Sequence, residues 1–280
     1  MDKQMNRRSF LQNLGLVSGT AATTYWVTKW ENRPKPAPPI QLRGIYVQMG
    51  TSVTAGLHGP GANMTPITVG SRLNLAPVNV GFDGACTGTL NLPGLDEFSL
   101  SWLVEAIISD DWSPQERALA AHDPIVATTL AKLREVDFNI VTHLGLEYGP
   151  NDFTLGMPIG VSTDSTKETF KGSLNYAIKR LMTSFPQLRL FLIAPSWRLN
   201  FEEKDSDTHP SAKGIFLREY VDAMIEMAAL NHVPCLDMWR TLGLNINNYK
   251  KLTYDGTHPN EDGAIRRGES IAGFINSVFP

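Results

Sequence analysis

Four groups of side chains along this sequence have types and spacings that could do chemistry together. The first centres on Ser52, in Gly50-Thr51-Ser52-Val53-Thr54-Ala55-Gly56, directly after the apolar run Gly44-Ile45-Tyr46-Val47-Gln48-Met49. A serine lifted off the end of a buried strand by glycines has backbone N–H groups around it and its hydroxyl in the crevice above a sheet, as a nucleophile needs. The same residues would also make an ordinary turn. Their chemistry therefore depends on a base, an orienting carboxylate and oxyanion donors elsewhere.

A base and a carboxylate occur together in Tyr254-Asp255-Gly256-Thr257-His258-Pro259-Asn260-Glu261. Pro259 keeps His258 out of the α region and suits the first turn of a following helix, which predicts an imidazole at the helix entrance. Asp255, three residues earlier, can accept from Nδ1 and leave Nε2 free as a base. A metal reading, with Asp255, His258 and Glu261 or Asp262 as ligands, has no second histidine nearby to support it. Oxyanion donors have two candidate sources. Gly84, in Asp83-Gly84-Ala85-Cys86-Thr87-Gly88, can turn its N–H toward a ligand with no side chain in the way. Asn151, in Gly149-Pro150-Asn151-Asp152-Phe153, can donate from its amide, and Asp152 can hold that loop through backbone bonds. Turn formation is the purely structural alternative for both.

The elements that must position these groups follow from patterning. Short apolar runs alternate with helix-length amphipathic runs from Ile40 onward, which predicts an α/β domain with a parallel sheet. Five strands are expected at about 43–50, 76–82, 137–145, 189–197 and 233–239. Phe170, Leu174, Ile178, Leu181 and Phe185 share one helical face, and that helix ends before Pro186. Phe216, Tyr220, Met224, Met227 and Ala228 mark a second helix, and Ala264, Ile271, Phe274, Ile275 and Val278 a last one. Right-handed crossovers on such a sheet leave one crevice outside the carboxyl ends of the strands. All four candidate groups fall just after strands or before the last helix. Segments 83–112 and 152–169 exceed typical connections and are expected to cover or line the crevice.

Composition narrows the function classes. The 280 residues are 42% hydrophobic, enough for a sizeable core, and the formal net charge of −3 gives no electrostatic footprint for nucleic acid. The first 30 residues differ from the rest, with Asn6-Arg7-Arg8-Ser9-Phe10-Leu11-Gln12 leading into a mildly apolar, uncharged stretch. This segment resembles a twin-arginine export signal. It predicts engagement with the twin-arginine export machinery, delivery to the periplasm or the extracellular space and, if the segment is retained, a tether at the membrane. Pro34, Pro36, Pro38 and Pro39 make residues 31–39 a stiff spacer, so the domain is expected to span residues 40–280. Cys86 and Cys235 could pair in an oxidising compartment, but two thiols make no framework, and both are read as buried small residues.

Ser, then Gly, then Asn, then Asp-x-x-His, in that order at successive strand ends, resembles the SGNH hydrolases, the GDSL-type esterases and lipases. The resemblance runs from about residue 43 to the end. It implies a three-layer, flavodoxin-like α/β fold with a five-stranded parallel sheet and acyl-ester hydrolysis without metal or cofactor. By position it assigns Ser52 as nucleophile, His258 as base and Asp255 as orienting acid. It assigns the Ser52 N–H, the Gly84 N–H and the Asn151 side chain as the oxyanion hole. The sequence departs from the family pattern at Thr51, where an Asp is usual, and at Cys86, where a Thr is usual. Neither residue has to carry the proton or stabilise the oxyanion. The loop Phe153-Thr154-Leu155-Gly156-Met157-Pro158-Ile159-Gly160 looks most like family members that act on glycans. Together with the export segment it points to O-acetyl groups on extracellular or cell-envelope polysaccharide. On this reading Phe153, Leu155, Met157 and Ile159 wall a shallow acyl pocket, and Trp197 or Tyr148 stacks on a sugar. A lipase or lysophospholipase, a sugar O-acyltransferase and an inactive glycan-binding domain are the alternatives.

Overall fold

Alternation along the strands sorts the core into two layers. In the computed structural model, which describes residues 42–280 except 57, 58, 60, 62 and 201, β1 (Gly44–Gly50) sends Val47 and Met49 to one face of the sheet and Tyr46 to the other. β2 (Leu75–Gly81), β3 (His143–Glu147), β4 (Arg189–Ala194) and β5 (Cys235–Asp237) join it in the order β2-β1-β3-β4-β5, every pair parallel. Leu144, Leu146, Leu190 and Leu192 share the Val47 face, and Phe191 and Ile193 share the Tyr46 face. Such strands are buried on both sides, which is why they read as continuous apolar runs. The export-like segment 1–30 and the spacer 31–39 lie outside the described residues.

Parallel pairing requires long crossovers, and helices supply them. α1 (Ser52–Ala55) and α2 (Met64–Leu73) lie between β1 and β2. α3 (Leu100–Ser109), α4 (Ser113–Ala118) and α5 (Pro124–Arg134) lie between β2 and β3, and α6 (Pro150–Leu155) and α7 (Phe170–Ser184) between β3 and β4. α8 (Leu217–Leu230) precedes β5, and α9 (Met238–Thr241), α10 (Tyr249–Leu252) and α11 (Glu261–Val278) follow it. α2 packs on α11 on the Tyr46 side, while α7 packs on α3 and α8 on the Val47 side. The result is three layers, with helices on both faces of a five-stranded parallel sheet, as expected. Among the described residues no helix is long and apolar enough to cross a membrane.

Several expectations shift. The third strand was expected at 137–145, but Asp137 draws its neighbours into a turn, with Oδ1 accepting from Asn139 N at 2.9 Å and its carbonyl from Ile140 N at 3.1 Å. Pairing starts only at His143. Segment 83–112 does not simply cover the crevice: Leu100, Leu103 and Val104 of α3 are wholly buried and build the core. The last helix begins at Glu261 with Asn260 as N-cap, accepting from Gly263 N at 3.0 Å, so Pro259 lies before the helix and not in its first turn. Pro259 pairs instead with Thr253 in an antiparallel bridge. Cys86 is buried and Cys235 only partly so, and both are free thiols. Burial pushes both thiols well above their ordinary range, to about 12 for Cys235, so neither is a nucleophile at neutral pH.

Candidate functional site

The sheet order reverses direction between β1 and β3: the chain moves from β1 out to β2, then returns to the other side of β1. Crossovers leave in opposite directions there, which opens a crevice at the carboxyl ends of these two strands. Ser52 follows β1 and Asn151 follows β3.

Ser52 is the first residue of α1. Thr51 caps that helix, its hydroxyl accepting from Val53 N at 3.2 Å, and Gly56 ends it in the left-handed conformation at φ 64°. Thr51 thus does structural work at the position where the family pattern has Asp. Gly50 is required just before it, because a Cβ there would approach the Glu147 carbonyl to 2.6 Å and collide with the Thr54 side chain. Only a glycine lets β1 end this close to the β3 backbone and the α1 helix.

The loop of Asp255 and His258 is closed on itself. Beyond the Thr253–Pro259 bridge, Tyr254 N donates to the His258 carbonyl at 3.1 Å, and Gly256 N to Thr253 Oγ1 at 3.1 Å. Asp255 Oδ1 accepts from Thr257 N at 2.9 Å and His258 N at 2.7 Å, which fixes the carboxylate and turns its other oxygen toward the ring. Oδ2 lies 2.6 Å from His258 Nδ1, and Nε2 lies 2.9 Å from Ser52 Oγ. Partial burial raises the Asp255 pKa, but the hydrogen bonds from the His258 ring and from the two backbone N–H groups outweigh it and hold the carboxyl below its usual range. The acid therefore stays ionised. Three residues from opposite ends of the sequence form one proton path from Ser52 Oγ to a carboxylate-oriented imidazole. That arrangement suits nucleophilic acyl transfer.

Asn151 lies in the first turn of α6, and its Nδ2 donates to the Ala85 carbonyl at 3.0 Å. This bond ties the amide to the loop of Gly84, whose φ of +71° a side chain would strain. Asp152 fixes the same loop from below, accepting from Thr87 N at 2.8 Å, Thr87 Oγ1 at 2.7 Å and Gly149 N at 3.0 Å. Complete burial pushes the Asp152 carboxyl up to about 6, against these hydrogen bonds. Thr87, not the Cys86 position, thus supplies the hydroxyl that joins the loops of Gly84 and Asn151. No feature of the sequence distinguishes Thr87 beforehand.

Other anticipated roles do not hold. Tyr148 is 0% exposed and Trp197 5%, so neither is available to stack on a sugar; Trp197 Nε1 donates to Asp205 Oδ1 at 2.6 Å. Phe153 and Met157 are core residues, and of the expected acyl-pocket wall only Leu155 and Ile159 reach the surface. The aromatic that the sequence reading missed is Tyr254. Its ring is 41% exposed and stacks on the His258 imidazole with centroids 5.7 Å apart and planes 17° from parallel. Its place directly before Asp255 was the available signal. Among the described residues no three His, Cys, Asp or Glu side chains gather as metal ligands.

A serine, an imidazole and a carboxylate in hydrogen-bond contact at the carboxyl ends of a doubly wound parallel sheet have the geometry of a nucleophile, a base and an orienting acid. The chain belongs to the GDSL-like lipase/acylhydrolase family, whose profile matches residues 49–264, and it is a carboxylic ester hydrolase. No match is found among curated proteins. Solved structures share the fold at low identity. A protein from Lactobacillus plantarum is 16% identical over 86% of this chain and 100% of its own, with a TM-score of 0.63. A possible lipase from Chitinophaga pinensis is 16% identical over 84% and 99%, with a TM-score of 0.58. A carbohydrate acetylesterase from Sinorhizobium meliloti is 15% identical over 84% and 100%, with a TM-score of 0.51.

Proposed function

We propose that the chain is an exported serine esterase that removes O-acetyl groups from extracellular or cell-envelope glycans. The observation that carries the catalytic part is the Ser52–His258–Asp255 relay at 2.9 and 2.6 Å. Ser52 Oγ attacks the ester carbonyl carbon as His258 Nε2 takes its proton, and Asp255 holds and stabilises the imidazolium. The carbonyl oxygen, now negative, accepts from the N–H groups of Ser52 and Gly84 and from the Asn151 amide. Collapse of this intermediate breaks the bond to the leaving alcohol, which takes the proton from His258. Water then repeats the sequence on the acyl-enzyme, with His258 as base, and frees the acid and Ser52.

Three features support the substrate class. Burial of Phe153 and Met157 leaves few apolar side chains to line a long acyl tunnel. Tyr254 offers an exposed aromatic face beside the base, where the leaving alcohol must depart. A cavity of about 220 Å³ behind the Ser52 helix, bordered by Gly56, Asn63, Asp83, Ile125, Thr129 and Lys132 and by none of Ser52, Asn151 or His258, mixes donors, acceptors and apolar faces that could hold a more distant part of a polymer. The acetylesterase of the same fold from Sinorhizobium meliloti points the same way. The twin-arginine-like N-terminus would bring the enzyme to such polymers.

Hydrolysis of p-nitrophenyl acetate and octanoate, together with acetate release from an O-acetylated polysaccharide, tests this reading with wild type beside Ser52→Ala. Faster turnover of acetate than octanoate, with acetate freed from the polymer, is the expected result. A kcat/KM that climbs steadily to octanoate with no acetate from the glycan would replace it with a lipase. Wild type no faster than Ser52→Ala would end the esterase mechanism.

A further inference from the structure

Arg198 follows β4 and is only 6% exposed, yet no part of the acyl-transfer scheme uses it. Burying a guanidinium is costly unless partners compensate, so a position that only needed filling would hold an apolar side chain. Its contacts explain the charge. Nη1 donates to the Pro150 carbonyl at 3.4 Å, immediately before Asn151. Nε donates to the Leu199 carbonyl at 2.8 Å. Leu199 is itself tied to the acid–base loop: its N–H donates to the Gly256 carbonyl at 2.8 Å, and its carbonyl also accepts from Thr257 Oγ1 at 3.3 Å. The segment carrying Arg198 is closed by the Leu199–Asp205 bridge and by Arg198 N donating to Ser206 Oγ at 3.3 Å, so the guanidinium has a rigid base. Burial lowers the Arg198 pKa to about 10 while the Asp255 carboxylate acts to raise it, so the side chain remains a cation.

We propose that Arg198 is the positioning residue that couples the two halves of the site, holding Asn151 through the Pro150 carbonyl and the Asp255–His258 turn through Leu199. The inference rests on the esterase reading. Nucleophile and base meet directly, but the oxyanion donor on α6 and the acid–base loop before α11 come from separate crossovers. One planar fork with several fixed N–H directions spans them, and a lysine would carry the charge without that fork.

Labelling of Ser52 by a fluorophosphonate tests this without knowledge of the substrate. Ser52 Oγ displaces fluoride from phosphorus, His258 takes the proton and the oxyanion donors receive the phosphoryl oxygen. Rates are measured per folded molecule for wild type, Ser52→Ala, Arg198→Lys, Arg198→Gln, Asn151→Ala and Arg198→Lys with Asn151→Ala. Arg198→Lys is expected to stay folded and to label about tenfold slower, with kcat on p-nitrophenyl acetate falling alike and KM little changed. In the Asn151→Ala background its effect should shrink, because the group it positions is gone. Labelling of Arg198→Lys at the wild-type rate, or full multiplicativity with Asn151→Ala, would overturn the proposal. It also falls if both Arg198 variants fail to fold, since Arg198 is then a folding residue. If wild type labels no faster than Ser52→Ala, the esterase reading itself fails.

Discussion

Asp255 spends one oxygen on backbone N–H groups and the other on the imidazole, and this division makes a sharp prediction. In Asp255→Asn the substituted amide still accepts from Thr257 N and His258 N through its oxygen, so the loop keeps its shape. Its nitrogen then faces His258 Nδ1 and selects the tautomer whose Nε2 already carries a proton. That imidazole cannot accept from Ser52. We expect kcat to fall on the order of 10⁴-fold with little loss of stability; a loss below tenfold in steady-state kinetics would show that Asp255 does not set the tautomer. Asn151 acts at a different stage. Asn151→Ala should lower kcat by about 100-fold or more at nearly unchanged KM, because its amide meets charge that exists only in the transition state. An unchanged kcat would leave Asn151 with only its bond to Ala85.

At the scale of elements, a buried ion pair fastens the nucleophile helix to the sheet. Glu147, the last residue of β3, pairs with Arg267 of α11 and accepts from Gln48 Nε2 at 2.8 Å and Thr54 Oγ1 at 2.7 Å. Arg267 also donates to Ser196 Oγ at 2.9 Å. Strands β1 and β3, helix α1 and helix α11 thus meet at one carboxylate beneath Ser52. Glu147→Ala leaves Arg267 charged and buried without its partner, which should destabilise the fold by about 3–5 kcal/mol in a denaturant titration. A loss under 1 kcal/mol would mean that water or another group compensates. The opposite end of β3 carries a different signal. His143 is buried, with Thr142 Oγ1 at 2.9 Å from Nδ1 and Arg189 Nη1 at 3.3 Å from Nε2. Burial, with Arg189 and Arg43 nearby, lowers its pKa from 6.5 to about 4. The folded state therefore binds fewer protons than the unfolded state between these values, so stability rises with pH across the window and is lost as pH falls from 6.5 toward 4. His143→Gln should flatten that slope in thermal melts at several pH values while leaving ester hydrolysis near neutral pH unchanged.

On the scale of the whole molecule, the position of the crevice follows from topology. The 2-1-3-4-5 order allows only one place where crossovers diverge, between β1 and β3, and the loops after these strands carry Ser52 and Asn151. The base comes from the far end of the chain because α11 packs on α2 across the Tyr46 face, which brings its leading loop over the β1 end. At the exposed rim Tyr254 lies against His258. Tyr254→Ala should weaken acetate release from polysaccharide about tenfold while changing the hydrolysis of ethyl acetate far less, since of these two only the polymer has a ring to stack. Equal losses on both substrates would make Tyr254 a support for His258 and not a substrate contact.

Local chemistry wrote much of this protein into its sequence. Apolar runs of strand length and the helical period from Phe170 to Phe185 determined the α/β class and the five-stranded sheet, and the motif residues at strand ends singled out Ser52, Asn151, Asp255 and His258, of which Ser52, His258 and Asp255 meet within hydrogen-bond distance. Each of those signals depends on a few adjacent residues, and glycine, proline and capping side chains act over that same range. Contacts across the fold decided the rest. Tyr148 and Trp197 look like exposed aromatics in sequence and are buried, while Tyr254, flanked by turn residues, stands at the rim. The Asp137 turn cut β3 short because a side-chain acceptor competed with the ladder. Thr87, Glu147 and Arg267 gain their partners from residues 65 to 120 positions away, as in Thr87 with Asp152 and Glu147 with Arg267, and Arg198 reaches back 48 positions to Pro150. A buried polar group must find a hydrogen-bond partner, but the sequence does not say which one. Only packing the crossovers onto the sheet chooses it.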